Sequence, residues 1–178
     1  TYYYVNKYGL SKLDEGRQIK VINGLAYVSE DYPLPADFDP GVDKTARRAF
    51  ETMRQDMNRF GLDIKIASDY RGYELEKRMY EVNEVDSQKP GTNEHQLGCA
   101  FDFFTEGSKY NDKFEKTSTY EWLADNAYKY GFIERYPKGK ENKTKKKASP
   151  WHFRFVGVEK AKNIYENDLT LEEYLKIN

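Results

Sequence analysis

Two histidines occur in the 178 residues, His95 and His152, and they sit in unlike surroundings. His95 follows a glycine-containing loop in GTNEHQLGCAFD, with Asp102 seven residues further on. His152 lies in KKASPWHFRF, between a basic run and an aromatic segment. Two neutral imidazoles and one carboxylate are a sufficient protein set for a catalytic zinc ion, with one position open for water. An ion held in this way lowers the pKa of that water towards neutrality and polarises a scissile carbonyl. The residues alone leave a plainer alternative standing: two unrelated histidines, each with its own hydrogen-bonding partner. A His–x6–Asp spacing is a weak signal by itself.

The segments around these residues read as regular elements. CAFDFF predicts a strand with Asp102 on the face opposite Phe101 and Phe103. WHFRFVG predicts a second strand, and DIKIAS, Asp63 to Ser68, alternates apolar and polar residues as a third. Ala46, Ala49, Phe50, Met53, Met57 and Phe60 recur at helical steps, so a helix is expected over 44–60, with Asp43 as N-cap and Gly61 as left-handed cap. A short helix is expected over 74–82. The stretch 86–93 reads as a loop around the Pro90-Gly91 turn. Ser118 to Glu121 fits a capping box that opens a helix ended by Gly131, with Trp122, Leu123, Ala127 and Tyr130 on one side. A basic loop spans 138–147. Helices close the chain over 158–166 and 171–176, the last with a Thr170/Glu173 capping box. There are no internal repeats and no linker, which predicts one domain over 1–178.

Composition narrows the class. Twenty-nine basic and 30 acidic residues leave a net charge of −1, which removes the global electrostatic case for a nucleic-acid partner. The 16% aromatic content argues against disorder. The sixteen tyrosines suit either a cleft for a polar ligand or an ordinary core and rim. The single cysteine, Cys99, excludes an internal disulfide framework and any multi-cysteine zinc site, and between Gly98 and Ala100 it reads as a small packed residue. No apolar run is long enough to span a membrane and no export signal is visible. The chain starts TYYYVNK, without Met, so this absence carries no argument for the cytoplasm.

Three motifs, SDYRGYE at 68–74, EHQLGCAFD at 94–102 and SPWHFRFVG at 149–157, occur in that order. Together they resemble the VanY-type D-alanyl-D-alanine carboxypeptidases, zinc enzymes that trim peptidoglycan stem peptides. The resemblance starts near YVNKYGL at 4–10, includes NAYKYGFIERYPKGK at 126–140 and runs to the closing AKNIYENDLTLEEYL. It implies His95, Asp102 and His152 as ligands of one zinc ion. It implies Arg71 as the cation that holds the substrate and its developing oxyanion, a role suited to the paired donors of a guanidinium. Tyr70 and Trp151 would line the substrate side, with packing as their alternative role. The basic run 138–147 reads as a solvated loop, with attraction to anionic cell-wall polymer as the other reading.

The departures from the family pattern concern the site. The family places a general-base Glu three residues before the second His, and here that position is Ser149. A hydroxyl cannot replace a carboxylate in proton transfer, although it can orient a water. The Ser usually two before the first His is Asn93, and the Gln usually five after the Arg is Glu76. Glu76 is the candidate substitute base; Glu134 and Glu141 are further carboxylates in or near the loop before His152.

The resemblance implies an α+β fold: a small, mainly antiparallel sheet bearing the zinc site, flanked by helices, with residues 1–42 packed on the core as an extension. It implies a zinc metallocarboxypeptidase, of the D-Ala-D-Ala or L,D type, acting on peptidoglycan stem peptides. The expected setting is extracytoplasmic, cell-wall or membrane-anchored, and the expected state is monomeric. Ser149 keeps a second class open: a family member that binds cell-wall peptide or a protein partner without efficient cleavage. A metal-free structural domain is the third.

Overall fold

The computed structural model describes residues 19–82 and 87–177. Their elements, in chain order, are β1 (Lys20–Ile22), β2 (Leu25–Tyr27), α1 (Lys44–Arg59), β3 (Lys65–Ser68), α2 (Tyr73–Glu81), β4 (Ala100–Phe104), α3 (Ser118–Asn126), β5 (Phe132–Glu134), α4 (Glu141–Thr144), β6 (His152–Phe155), α5 (Val158–Glu166) and α6 (Leu171–Leu175). Short 3-10 turns occupy Glu94–Leu97, Phe114–Lys116 and Ala127–Tyr130. The mixture of helices and antiparallel strands is the expected α+β class. The described residues form two compact units, one from 19–45 and 69–100, the other from 46–68 and 101–177. The YVNKYGL segment and the first part of the expected 1–42 extension lie outside the described residues.

The first unit contains the β1–β2 antiparallel hairpin, in which Asn23 and Gly24 both take positive φ (51° and 74°). That is the conformation for which Asn-Gly is the favoured two-residue turn. The sequence carries this signal, yet the strands at 20–22 and 25–27 are not among the expected elements. Beyond the hairpin, the 31–43 segment is laced to the 91–98 segment. Leu34 N–H donates to Gly91 O at 2.7 Å and Asp43 N–H to Gly98 O at 2.8 Å. Gln96 Nε2 donates to the carbonyls of Pro35 and Phe38, both at 3.0 Å. Gly98 permits this closeness. Its φ is +79°, and a Cβ there would stand 1.9 Å from the Gly41 carbonyl oxygen. No residue with a side chain fits.

In the second unit the four strands are ordered β3-β4-β6-β5, with the β3/β4 and β5/β6 pairs antiparallel. Alternation along the central strands β4 and β6 sends Phe101, Phe103, Phe153 and Phe155 to one face and Asp102 and His152, with Phe104 and Arg154, to the other. Phe101, Phe103, Phe132 and Phe153 are at most 1% exposed. Phe103 stacks on Phe50 of α1 at 5.3 Å and meets Phe132 edge-on at 5.9 Å. Burying four such rings is the main local driving force, and offset and edge-on pairs add to it.

The helix expected over 44–60 forms, and Ala46, Phe50, Met53 and Met57 are its buried residues. Phe60 belongs to the same sequence stripe but is 71% exposed. The helix stops at Arg59, and Phe60 turns outward, tilted against Trp122 at 6.5 Å. Three other expectations are corrected. The N-cap of α3 is Thr117, whose side chain accepts from Tyr120 N, so Ser118 is the first helical residue and the expected capping box does not form. The basic stretch contains the short helix α4 and not only loop. Residues 132–134, given no element from the sequence, pair with β6 as an edge strand. The Thr170/Glu173 capping box is present.

Glu134 ends that edge strand. Its two carboxylate oxygens accept the Tyr120 hydroxyl at 3.0 and 3.1 Å, and burial pushes its pKa up from 4.5 to about 7. A proton is therefore bound more tightly in the folded than in the unfolded chain. The associated stability is fully present below about pH 4.5 and is lost as pH rises through about 7. Glu134→Gln is expected to be more stable than the parent by up to about 3 kcal/mol near pH 8, with the gain shrinking towards pH 4.5. Thermal unfolding of both proteins across this range checks it; a gain independent of pH contradicts the assignment.

Candidate metal centre

In the first unit, His95 is fixed by local backbone chemistry. Asn93 caps the turn Glu94–Leu97 with extended backbone, and its Oδ1 accepts the His95 N–H at 3.0 Å. His95 Nδ1 lies 2.6 Å from the Asp69 carbonyl oxygen. A carbonyl only accepts, so Nδ1 carries the proton and the lone pair of the neutral ring sits on Nε2. A metal-binding histidine adopts this tautomer when a carbonyl holds its other nitrogen.

Arg71 adjoins this turn, its N–H donating to His95 O at 3.3 Å. Its Nε donates to Oε1 of Glu76. Glu76 is 1% exposed, and its Oε2 is buried without a hydrogen-bond partner among the described residues. The Tyr70 hydroxyl donates to Asp39, and burial, reinforced by that carboxylate, raises its pKa. Asn93, Arg71, Glu76 and Tyr70 thus already form local contacts in this unit.

In the second unit, Asp102 and His152 occupy neighbouring central strands, and His152 Nδ1 lies 2.7 Å from Asp102 Oδ1. The other oxygen of Asp102 accepts the Tyr110 hydroxyl at 3.0 Å. The Tyr136 ring stacks on the His152 imidazole at 5.0 Å between centroids. Trp151 meets Tyr110 edge-on at 5.9 Å, and its carbonyl accepts Phe103 N–H at 2.9 Å, tying the entry of β6 to β4. Ser149 sits one turn earlier. Its carbonyl accepts His152 N–H and its own N–H donates to Tyr136 O, both at 3.0 Å. Its hydroxyl donates to Lys147 O at 3.2 Å.

His95, Asp102 and His152 are all buried, and each offers a ligand atom within 4.8 Å of the others'. The donor set, two imidazoles and one carboxylate, suits zinc. Glu134 and Glu141 do not belong to this cluster: Glu134 is bonded to Tyr120, and Glu141 starts the exposed helix α4. No sequence pattern singles out Tyr110 or Tyr136. Tyr110 comes from a polar loop without periodicity, and Tyr136 follows an edge strand too short to read.

Comparison with known proteins agrees with this arrangement. The family model VanY, D-alanyl-D-alanine carboxypeptidase, matches residues 39–158. The unproven carboxypeptidase YodJ of Bacillus subtilis is 37% identical over 185 residues, covering 86% of this chain and 67% of that protein. Among solved structures, the LdcB LD-carboxypeptidase superposes with a TM-score of 0.80 at 34% identity, covering 90% of this chain and 94% of that one. A VanY variant in complex with Zn(II) gives 0.69 at 31% identity, covering 83% and 96%. The chain spans about two thirds of the length of YodJ (67%) and of an Enterococcus faecalis D-alanyl-D-alanine carboxypeptidase (65%), and half (50%) of an Enterococcus faecium one. The match over 39–158 spans all three clustered residues, and the chain belongs to the VanY family of D-alanyl-D-alanine carboxypeptidases.

Proposed function

We propose that the protein is a zinc-dependent carboxypeptidase releasing a C-terminal D-Ala from peptidoglycan stem peptides. In this reading it acts outside the cytoplasm, at the cell wall, as a monomer with a single VanY-like domain. The observation that carries it is the buried His95, Asp102 and His152 set. A zinc ion bound there supplies a Lewis acid for the scissile carbonyl and an acidified water.

The chain's own residues do the rest. His95 is oriented by Asp69 O, so Nε2 is the atom with which it would hold the ion. Arg71 grips the terminal carboxylate or the carbonyl oxygen of the peptide through its guanidinium, whose Nε donates to Glu76. Glu76 thereby orients Arg71, and its Oε2 is the atom that would take a proton if it served as base. Asn93, Tyr70 and Trp151 line the substrate side. Ser149 orients the attacking water without accepting its proton.

Ser149 favours a second reading, in which the site binds stem peptide or a protein partner and cleaves it poorly. Zinc content after chelator-free purification, with D-Ala release from synthetic tetra- and pentapeptide stems, separates the two. Release that disappears in His95→Ala supports the peptidase. Stoichiometric zinc without release supports the binding protein, and absence of zinc uptake ends both.

A further inference from the structure

Tyr110 combines four features that neither the fold nor the proposed reaction has used. Its φ is +52°, a left-handed conformation that a bulky side chain rarely adopts and that a packed loop must sustain. It is 44% exposed, so burial of the side chain is not what holds it there. Its hydroxyl donates at 3.0 Å to Oδ2 of Asp102, while Oδ1 of the same carboxylate lies 2.7 Å from His152 Nδ1. The ring also stands edge-on to Trp151 at 88°, next to His152 in sequence.

A carboxylate on a strand rotates about χ2 and can present either oxygen or both. A donor fixed on Oδ2 removes that freedom, and it leaves Oδ1 as the oxygen on the His152 side. Groups that hydrogen-bond to metal-ligating carboxylates set their orientation and their strength as ligands. We propose that Tyr110 is a positioning residue for the metal centre: it locks the Asp102 carboxylate in a one-oxygen presentation, and the strained backbone at 110 is maintained by that role. The inference rests on the zinc reading above.

The test is the Zn(II) dissociation constant, measured by competition with a chromophoric chelator, together with the absorption spectrum of the Co(II)-loaded protein. Tyr110→Phe keeps the ring against Trp151 and removes only the hydroxyl. It is expected to weaken zinc binding by roughly 10- to 100-fold and to alter the Co(II) ligand-field bands. Tyr110→Gly relieves the left-handed strain and loses the hydroxyl, so its affinity is expected to fall at least as far. If the parent binds no zinc, the metal reading itself fails and this inference with it. If the parent binds zinc and Tyr110→Phe binds it equally well with an unchanged Co(II) spectrum, the inference alone is overturned.

Discussion

On the proposed carboxypeptidase reading, replacing Ser149 by Glu is expected to raise the rate of D-Ala release from a stem pentapeptide by roughly 10²- to 10⁴-fold, the usual contribution of a general base. The effect falls on kcat, because a base acts in the transition state and adds little to ground-state binding. The geometry is permissive. The backbone of Ser149 is held on both sides, by His152 N–H on its carbonyl and by Tyr136 O on its N–H, so a longer side chain departs from a fixed origin one turn before His152. Its hydroxyl donates to the Lys147 carbonyl at 3.2 Å, and position 149 is half-buried, so no core packing is disturbed. Zinc content should be unchanged, and adding His95→Ala to the variant should abolish the gain. An equally slow Ser149→Glu protein that still carries zinc would mean that the missing carboxylate is not what limits turnover.

The second large effect concerns stability. Arg135, at the end of β5, and Glu172, on α6, form a bidentate pair at 3.0 and 2.6 Å, with side chains 1% and 4% exposed. Removing one partner of such a pair leaves a charge stranded in the interior and typically costs about 3–5 kcal/mol. Glu172→Ala is therefore expected to lower the thermal midpoint by roughly 6–20 °C for a chain of this size. An Arg135→Met, Glu172→Leu double variant should recover much of that loss, since an apolar pair of similar volume replaces two desolvated charges. The loss is also expected to reach the metal centre. The Arg135 guanidinium lies 4.6 Å from the Tyr136 ring, which in turn stacks on His152. Calorimetry of the single and double variants decides it: additive losses would contradict a coupled pair.

What is legible in the sequence follows from the range of the forces involved. Strands β4 and β6 announce themselves because neighbouring residues alternate between aromatic and polar, and the alternation alone assigns Asp102 its face. Helix α1 repeats its apolar residues over four turns; Ala49 is half-buried, and the last member of the stripe, Phe60, turns out to solvent because the stripe outlives the helix by one residue. The three metal-ligand candidates are legible through ordered motifs and not through spacing alone. The N-cap of α3 is displaced by one residue because Thr117 and Ser118 both offer a hydroxyl, and only backbone conformation (φ −92°, ψ 150° at Thr117) decides between them. Contacts made at long sequence separation leave no local trace. Arg135 and Glu172 are 37 residues apart, and Tyr120 and Glu134 are unremarkable polar residues until the fold brings them together, both half-buried.

The pinched approach of Gly98 to the Gly41 carbonyl also shapes how this protein can change over generations. Three residues after His95 lies a position where any codon other than glycine collides with another stretch of main chain. A mutagenesis library spread over 93–98 would therefore spend part of its diversity on clones that cannot close this segment. Gly107 has the same left-handed backbone, but a methyl group added there meets nothing within 4 Å among the described residues, so only backbone preference resists change. New variants should accumulate around the second glycine and be purged at the first, which makes one loop the open ground for adaptation and the other a fixed inheritance.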